Sequence, residues 1–184
     1  MPVFVSMLRG VNVGGHCKIA MEALRALYDS LGLRDAQTYI QSGNVVFRAK
    51  ERESTHLAER IGDGIFRRFG FRPGVVVRTC SELRNAISKN PFPAQAAAEP
   101  NKLLVTFLSG DPDAEARDRA LKIDVGPEEL RIDGRELYIY FPNGQGRSKL
   151  SLPLVEKTIK TTGTGRNWNT VIKLLDIAET LEAS

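Results

Sequence analysis

A chain of 184 residues that is 42% hydrophobic and 26% charged carries enough apolar material for one large domain or two small packed ones, which excludes a disordered or fibrous chain. No apolar run reaches the roughly 18–20 residues of a membrane span, so a membrane partner is not expected, and the start lacks the basic-then-apolar pattern of a secretory signal. The net charge is +4, and its surplus is local: between Pro142 and Leu175 six cations (Arg147, Lys149, Lys157, Lys160, Arg166, Lys173) face one acid, Glu156, a surplus of five that leaves the rest of the chain at −1.

In chain order, Val3–Leu8 reads as a buried strand that exits into Leu8-Arg9-Gly10-Val11-Asn12-Val13-Gly14-Gly15. Apolar Met21, Leu24, Leu27, Tyr28 and Leu31 have helical spacing, and Gly32 stops that helix. Thr38–Gln41 and Val45–Phe47 are β-rich runs around Ser42-Gly43-Asn44, either a hairpin or one strand with a glycine bulge. Leu57, Ile61, Ile65, Phe66 and Phe69 mark a second helix, capped by Ser54 or Thr55 and ended by Gly70. Val75–Val77 is a further strand, and Ser81–Lys89 a short helix capped by Ser81.

Residues 90–101 read as a connector, because Asn90-Pro-Phe-Pro breaks regular structure ahead of an alanine-rich run. The pattern then recurs. Leu103–Leu108 is a strand, and Asp113–Leu121 a helix behind Asp111-Pro112. Glu129–Ile132 and Glu136–Phe141 form a hairpin around Asp133-Gly134. A C-terminal helix runs from about Asn169 to Leu181. The expected architecture is α+β: two ferredoxin-like βαββα(β) halves packed together, mainly antiparallel, at 1–89 and 102–184, with a shared sheet as one way to join them.

The candidate chemistry sits in polar, glycine-bearing loops. Gly10 and Gly15 have the glycine spacing of a Walker loop, but His16-Cys17 stands where lysine and a hydroxyl must be, so that route to nucleotide hydrolysis is excluded. The loop remains either an anion cradle or a tight turn with Asn12 bonding backbone. Gln41-Ser42-Gly43-Asn44 presents Ser42 and Asn44 to a ligand or merely reverses the chain, and Ser42 lacks the Gly-x-Ser-x-Gly frame of a nucleophile elbow. Asn143-Gly-Gln-Gly-Arg147-Ser148-Lys149 resembles a phosphate-binding turn. In Thr164-Gly-Arg166-Asn167-Trp168-Asn169-Thr170, an asparagine caps the last helix, Arg166 and Trp168 are candidates for stacking on a base, and Trp168 reads better as a core anchor. Tyr138 and Tyr140 share a strand face, yet the consensus of sheet-based RNA binders is absent. Neighbouring His16 and Cys17 do not build a zinc site; His56 and Cys80 read as ordinary residues, and no metal or cofactor is indicated. Two cysteines give no disulfide framework, and a reducing cytoplasm is the expected setting.

Three of these stretches carry a resemblance. Leu8–Gly15 with Met21 and Leu24, Tyr39-Ile40-Gln41-Ser42-Gly43-Asn44-Val45-Val46-Phe47, and Arg166–Thr170 with Lys173-Leu174 together resemble the bacterial family called domain of unknown function 1697. The resemblance spans essentially the whole chain. It implies a cytoplasmic α+β protein with a duplicated ferredoxin-like arrangement and supplies no catalytic residues. His16-Cys17-Lys18 departs from the lysine-like position after the glycines. The leading functional expectation is binding of an anionic or phosphorylated ligand, small molecule or nucleic acid. Arg9, Asn12, Gly14, Gly15, Ser42 and Asn44 would form one side and Arg147, Lys149, Arg166 and Asn167 the other. A small-molecule enzyme using His16 as base, and a purely structural protein, are the alternatives.

Overall fold

The computed structural model describes all 184 residues, Met1–Ser184. The elements run β1 (Val3–Leu8), α1 (Met21–Ser30), β2 (Arg34–Tyr39), β3 (Asn44–Arg48), α2 (Ser54–Phe69), β4 (Val75–Thr79), α3 (Cys80–Ser88) and α4 (Pro93–Ala98). They continue with β5 (Leu103–Leu108), α5 (Ala114–Leu121), β6 (Glu129–Asp133), β7 (Glu136–Tyr140), α6 (Leu152–Ile159), β8 (Gly163–Asn167) and α7 (Trp168–Ala183). The strands form two four-stranded sheets, ordered β2-β3-β1-β4 and β6-β7-β5-β8, and all pairs are antiparallel. Each is the complete βαββαβ order of a ferredoxin-like half, and no sheet is shared. The chain divides into two compact units, Met1–Asn85 with Lys173–Ser184, and Ala86–Ile172.

In the first unit Phe4, Leu8, Val45, Phe47 and Val77 on one sheet face meet Leu24, Leu27 and Tyr28 of α1 and Leu57, Ile61 and Ile65 of α2. Each such side chain, fully buried, contributes roughly 1.5–3 kcal/mol. Ser6 is the polar residue of this face, and its hydroxyl lies 2.7 Å from the Tyr28 hydroxyl, so neither oxygen is buried unsatisfied. The C-terminal residues are fastened to the same unit. Arg48 donates to the Leu181 carbonyl at 2.5 Å and to the Ser184 hydroxyl at 2.8 Å, and Arg84 donates to Glu179 at 2.9 Å.

The second unit repeats this plan with offset 100 in its first strand. Leu104 and Leu108 join Leu137, Ile139 and Phe141 under Val155 and Ile159 of α6, and buried Thr106 takes the place of Ser6. The register repeats too: Val5 pairs with Arg78 as Val105 pairs with Arg166. Both arginines are buried, and each donates to the carbonyl of the residue before it, Val77 or Gly165. Both strands then run directly into a helix. Thr79 accepts from the Glu82 amide while Glu82 accepts from the Thr79 amide, a reciprocal capping box; Asn167 accepts from the Asn169 amide.

Several local expectations are corrected. Thr79, not Ser81, caps α3. Glu53 occupies the cap position of α2 without a side-chain bond, so neither Ser54 nor Thr55 caps it. Ser42-Gly43-Asn44 belongs to a hairpin whose four-residue loop is Ile40–Gly43, not to one bulged strand. The bulge lies upstream, between Arg34 and Gln37, where Asp35 has φ +55° and β2 runs as a polar edge strand. The connector is not irregular: Pro93 starts the short helix α4, where its missing N–H costs nothing, and the alanines continue it. Trp168 is buried, as expected of a core anchor. Tyr138 is fully buried and donates to the Ala86 carbonyl at 2.6 Å, which removes it as a stacking platform.

Candidate ligand pockets

The loop Arg9–Ala20 is built around Asn12. Asn12 has φ +57°, a left-handed conformation that asparagine tolerates better than other residues with a Cβ. Its side chain treats Ile19 as a strand partner would, accepting from the Ile19 amide at 2.8 Å and donating to the Ile19 carbonyl at 3.0 Å. The second amide hydrogen reaches the Gln41 carbonyl at 2.7 Å. Beyond this clamp the chain makes a small hairpin. The Asn12 amide donates to the Cys17 carbonyl and the His16 amide to the Val13 carbonyl, around Gly14 (φ +59°) and Gly15 (φ +77°). Two successive positive φ values make a tight primed turn, so these glycines are used for chain reversal.

That clamp joins two of the three sequence motifs. Asn12, Gly15 and Gln41 line an open pocket of about 400 Å³ with Lys18, Ile19 and Ala20. Ile40, just before Gln41, has φ +49°, a strained setting for a β-branched residue, and it is exposed. Ser42 and Asn44 do not line this pocket. Asn44 is fully buried and donates to the Tyr39 carbonyl at 3.1 Å and the Ser42 hydroxyl at 2.9 Å, so both residues serve the hairpin turn. Gly43 lets that turn approach β1: a Cβ there would stand 2.7 Å from the Leu8 Cβ. Arg9 is exposed, and its amide donates to the Gly74 carbonyl at 2.9 Å.

The other four candidate residues belong to the second unit, and its cavity takes two of them. Arg147 and Lys149 line a cavity of about 440 Å³ with Asp124, Val125, Gly126, Pro127, Glu128 and Asn143. Gly144, at φ +84°, turns the chain out of β7 into a single 3-10 turn at Gln145–Arg147, and both cations are solvent-exposed. The facing loop is held by Asp124, whose carboxylate accepts from the Gly126 amide at 3.0 Å. Arg166 and Asn167 are absent from this wall. Arg166 is buried in β8, where desolvation pulls its guanidinium down to about 10, and Asn167 spends its amide on the Asn101 carbonyl and the Asn169 amide. Asp124 and Glu128 escaped sequence reasoning, since neither belongs to a motif.

The remaining reactive groups separate cleanly. Cys17 is exposed, whereas Cys80 is buried, and burial together with the Glu182 carboxylate pushes its thiol up to about 11. We expect iodoacetamide to alkylate Cys17 alone in the native protein, read by mass spectrometry, with Cys80 reacting only on unfolding. No group of three or more His, Cys, Asp and Glu side chains is placed to hold a metal ion. No helix is long and apolar enough to cross a membrane.

The family profile described as "Protein of unknown function (DUF1697)" matches residues 1–138. The chain belongs to the DUF1697 family. The DUF1697 match covers the Asn12 loop, the β2–β3 hairpin and the Asp124–Glu128 loop, and it ends before Arg147 and Lys149. A solved structure, that of a conserved bacterial protein from Streptococcus pneumoniae, is similar to this DUF1697 chain with a TM-score of 0.75 at 20% identity, over 96% of this chain and 98% of that one. At that identity the likeness carries the fold. No curated protein matches.

Proposed function

We propose that this protein binds a small phosphorylated or otherwise anionic ligand in the cavity of the second unit. The supporting observation is the pair Arg147 and Lys149, together on one wall of a 440 Å³ cavity, with neither side chain engaged in an ion pair or hydrogen bond. Surface cations without partners are common, but two of them on a concavity of small-ligand size make an anion site. The acidic residues of the facing loop, Asp124 and Glu128, argue for a compact ligand over a continuous nucleic-acid backbone, which they would repel. The free state of both cysteines supports a reducing, cytoplasmic setting for this activity.

The test is calorimetric titration with n-butyl phosphate at low salt. Charge-assisted hydrogen bonds contribute about 1.5–3 kcal/mol each. Arg147→Glu with Lys149→Glu is therefore expected to weaken binding at least ~100-fold, and added salt to weaken the wild type progressively. Equal affinity of the wild type and the doubly substituted protein, or no binding by either, overturns the proposal.

A further inference from the structure

The cavity of the second unit is bipolar. One wall, the Asn143–Lys149 loop, carries the two free cations, and the other, the Asp124–Glu128 loop, carries two carboxylates. Asp124 is exposed and partly engaged with the Gly126 amide. Glu128 is different. It is only 5% exposed, it lines the cavity, and no hydrogen bond or ion pair reaches its carboxylate. Its Oε2 lies against the Cα side of Gly126, itself a lining residue: a Cβ added to Gly126 would stand 3.3 Å from that oxygen. The absent side chain of Gly126, which also has φ +70°, therefore leaves the carboxylate facing the cavity.

The carboxylate oxygens of Glu128 are not sealed from solvent, so the charge stands open to the cavity and has no partner in the protein. The group that best complements it is a cation with hydrogens to donate. Arg147 and Lys149 do not supply it, since neither forms an ion pair with Glu128. Their own free charge calls for an anion.

We propose that the ligand is an amine-bearing phosphate, with its ammonium on Glu128 and its phosphate on Arg147 and Lys149. This rests on the anion-binding reading above and narrows it to a ligand carrying both charges. The ammonium donates to the Glu128 carboxylate and to the free oxygen of Asp124. An alkyl phosphate without the amine satisfies only the basic wall.

The experiment compares ω-aminoalkyl phosphates of two to six carbons with n-alkyl phosphates of the same lengths, by calorimetry on the full chain. At the matching length the amine is expected to tighten binding 10- to 100-fold, the gain of one charge-assisted contact. Glu128→Gln is expected to erase that gain while binding alkyl phosphates more tightly, because a negative charge has left the phosphate's surroundings. Alkyl phosphates that bind as tightly as their aminoalkyl partners at every length overturn this inference and leave the anion-binding reading standing. Hydroxyalkyl phosphates that match the aminoalkyl series overturn the ammonium assignment. Failure of every phosphate to bind overturns both.

Discussion

Replacing Asn12 with alanine is expected to cost about 3–5 kcal/mol of stability, seen as a lower urea midpoint with an unchanged m-value. Two contributions add. Three hydrogen bonds disappear, to the Ile19 amide, the Ile19 carbonyl and the Gln41 carbonyl, each worth about 0.5–1.5 kcal/mol. Alanine also lacks the local side-chain bonding that makes φ +57° tolerable for asparagine, which adds about 1–2 kcal/mol. Asn12→Gly separates the two, because glycine adopts that φ without strain and loses only the bonds. The expected order is wild type, then Asn12→Gly, then Asn12→Ala. The Ile19 amide should lose hydrogen-exchange protection in both variants. Near-wild-type stability for Asn12→Ala would mean that the clamp does not organise the loop. The same substitution should loosen Ile40, whose strained conformation is held next to the Gln41 carbonyl that Asn12 engages.

The role of Asn12 was half legible in the sequence. A glycine-rich strand exit with an asparagine signals a tight turn or an anion site, and the two differ only in what the asparagine touches. Its partners, Ile19 and Gln41, lie seven and twenty-nine residues away, so no local pattern names them. The strands with alternating or continuous apolar residues are legible in the sequence because burial on a sheet face imposes that pattern; β1, β5 and β7 are of this kind. Glu128 was invisible for the opposite reason. Its meaning comes from a covered side chain whose carboxylate opens on a cavity without a partner, and the sequence shows neither.

The strand that composition hid most thoroughly was β8, Gly-Thr-Gly-Arg-Asn, and its concealment has a physical cause that makes a second large prediction. Glycine is a poor strand former because it packs nothing and loses much backbone freedom. Gly163 is nevertheless required. A Cβ there would lie 2.7 Å from the Phe107 carbonyl oxygen and 2.7 Å from the Thr106 Cγ2, inside the β5–β8 ladder that sets Gly163 opposite Leu108. The carbonyl is backbone and cannot rotate away, so relief requires the two strands to part. Gly163→Ala is therefore expected to cost about 3 kcal/mol, at the upper end for overpacking, and to lower Tm by roughly 6–12 °C. Gly165 is the control two residues along the same strand. Its added Cβ would meet the Leu104 methyl carbons at 3.3 and 3.4 Å, which a rotamer adjustment relieves. Gly165→Ala also gains from a less flexible unfolded chain, so its net effect should stay within about 1 kcal/mol. Equal Tm losses at the two sites would show that strand propensity, not the approach of β5, governs this edge. A loss confined to Gly163 would place the constraint on the backbone that carries Arg166 and caps α7 through Asn167.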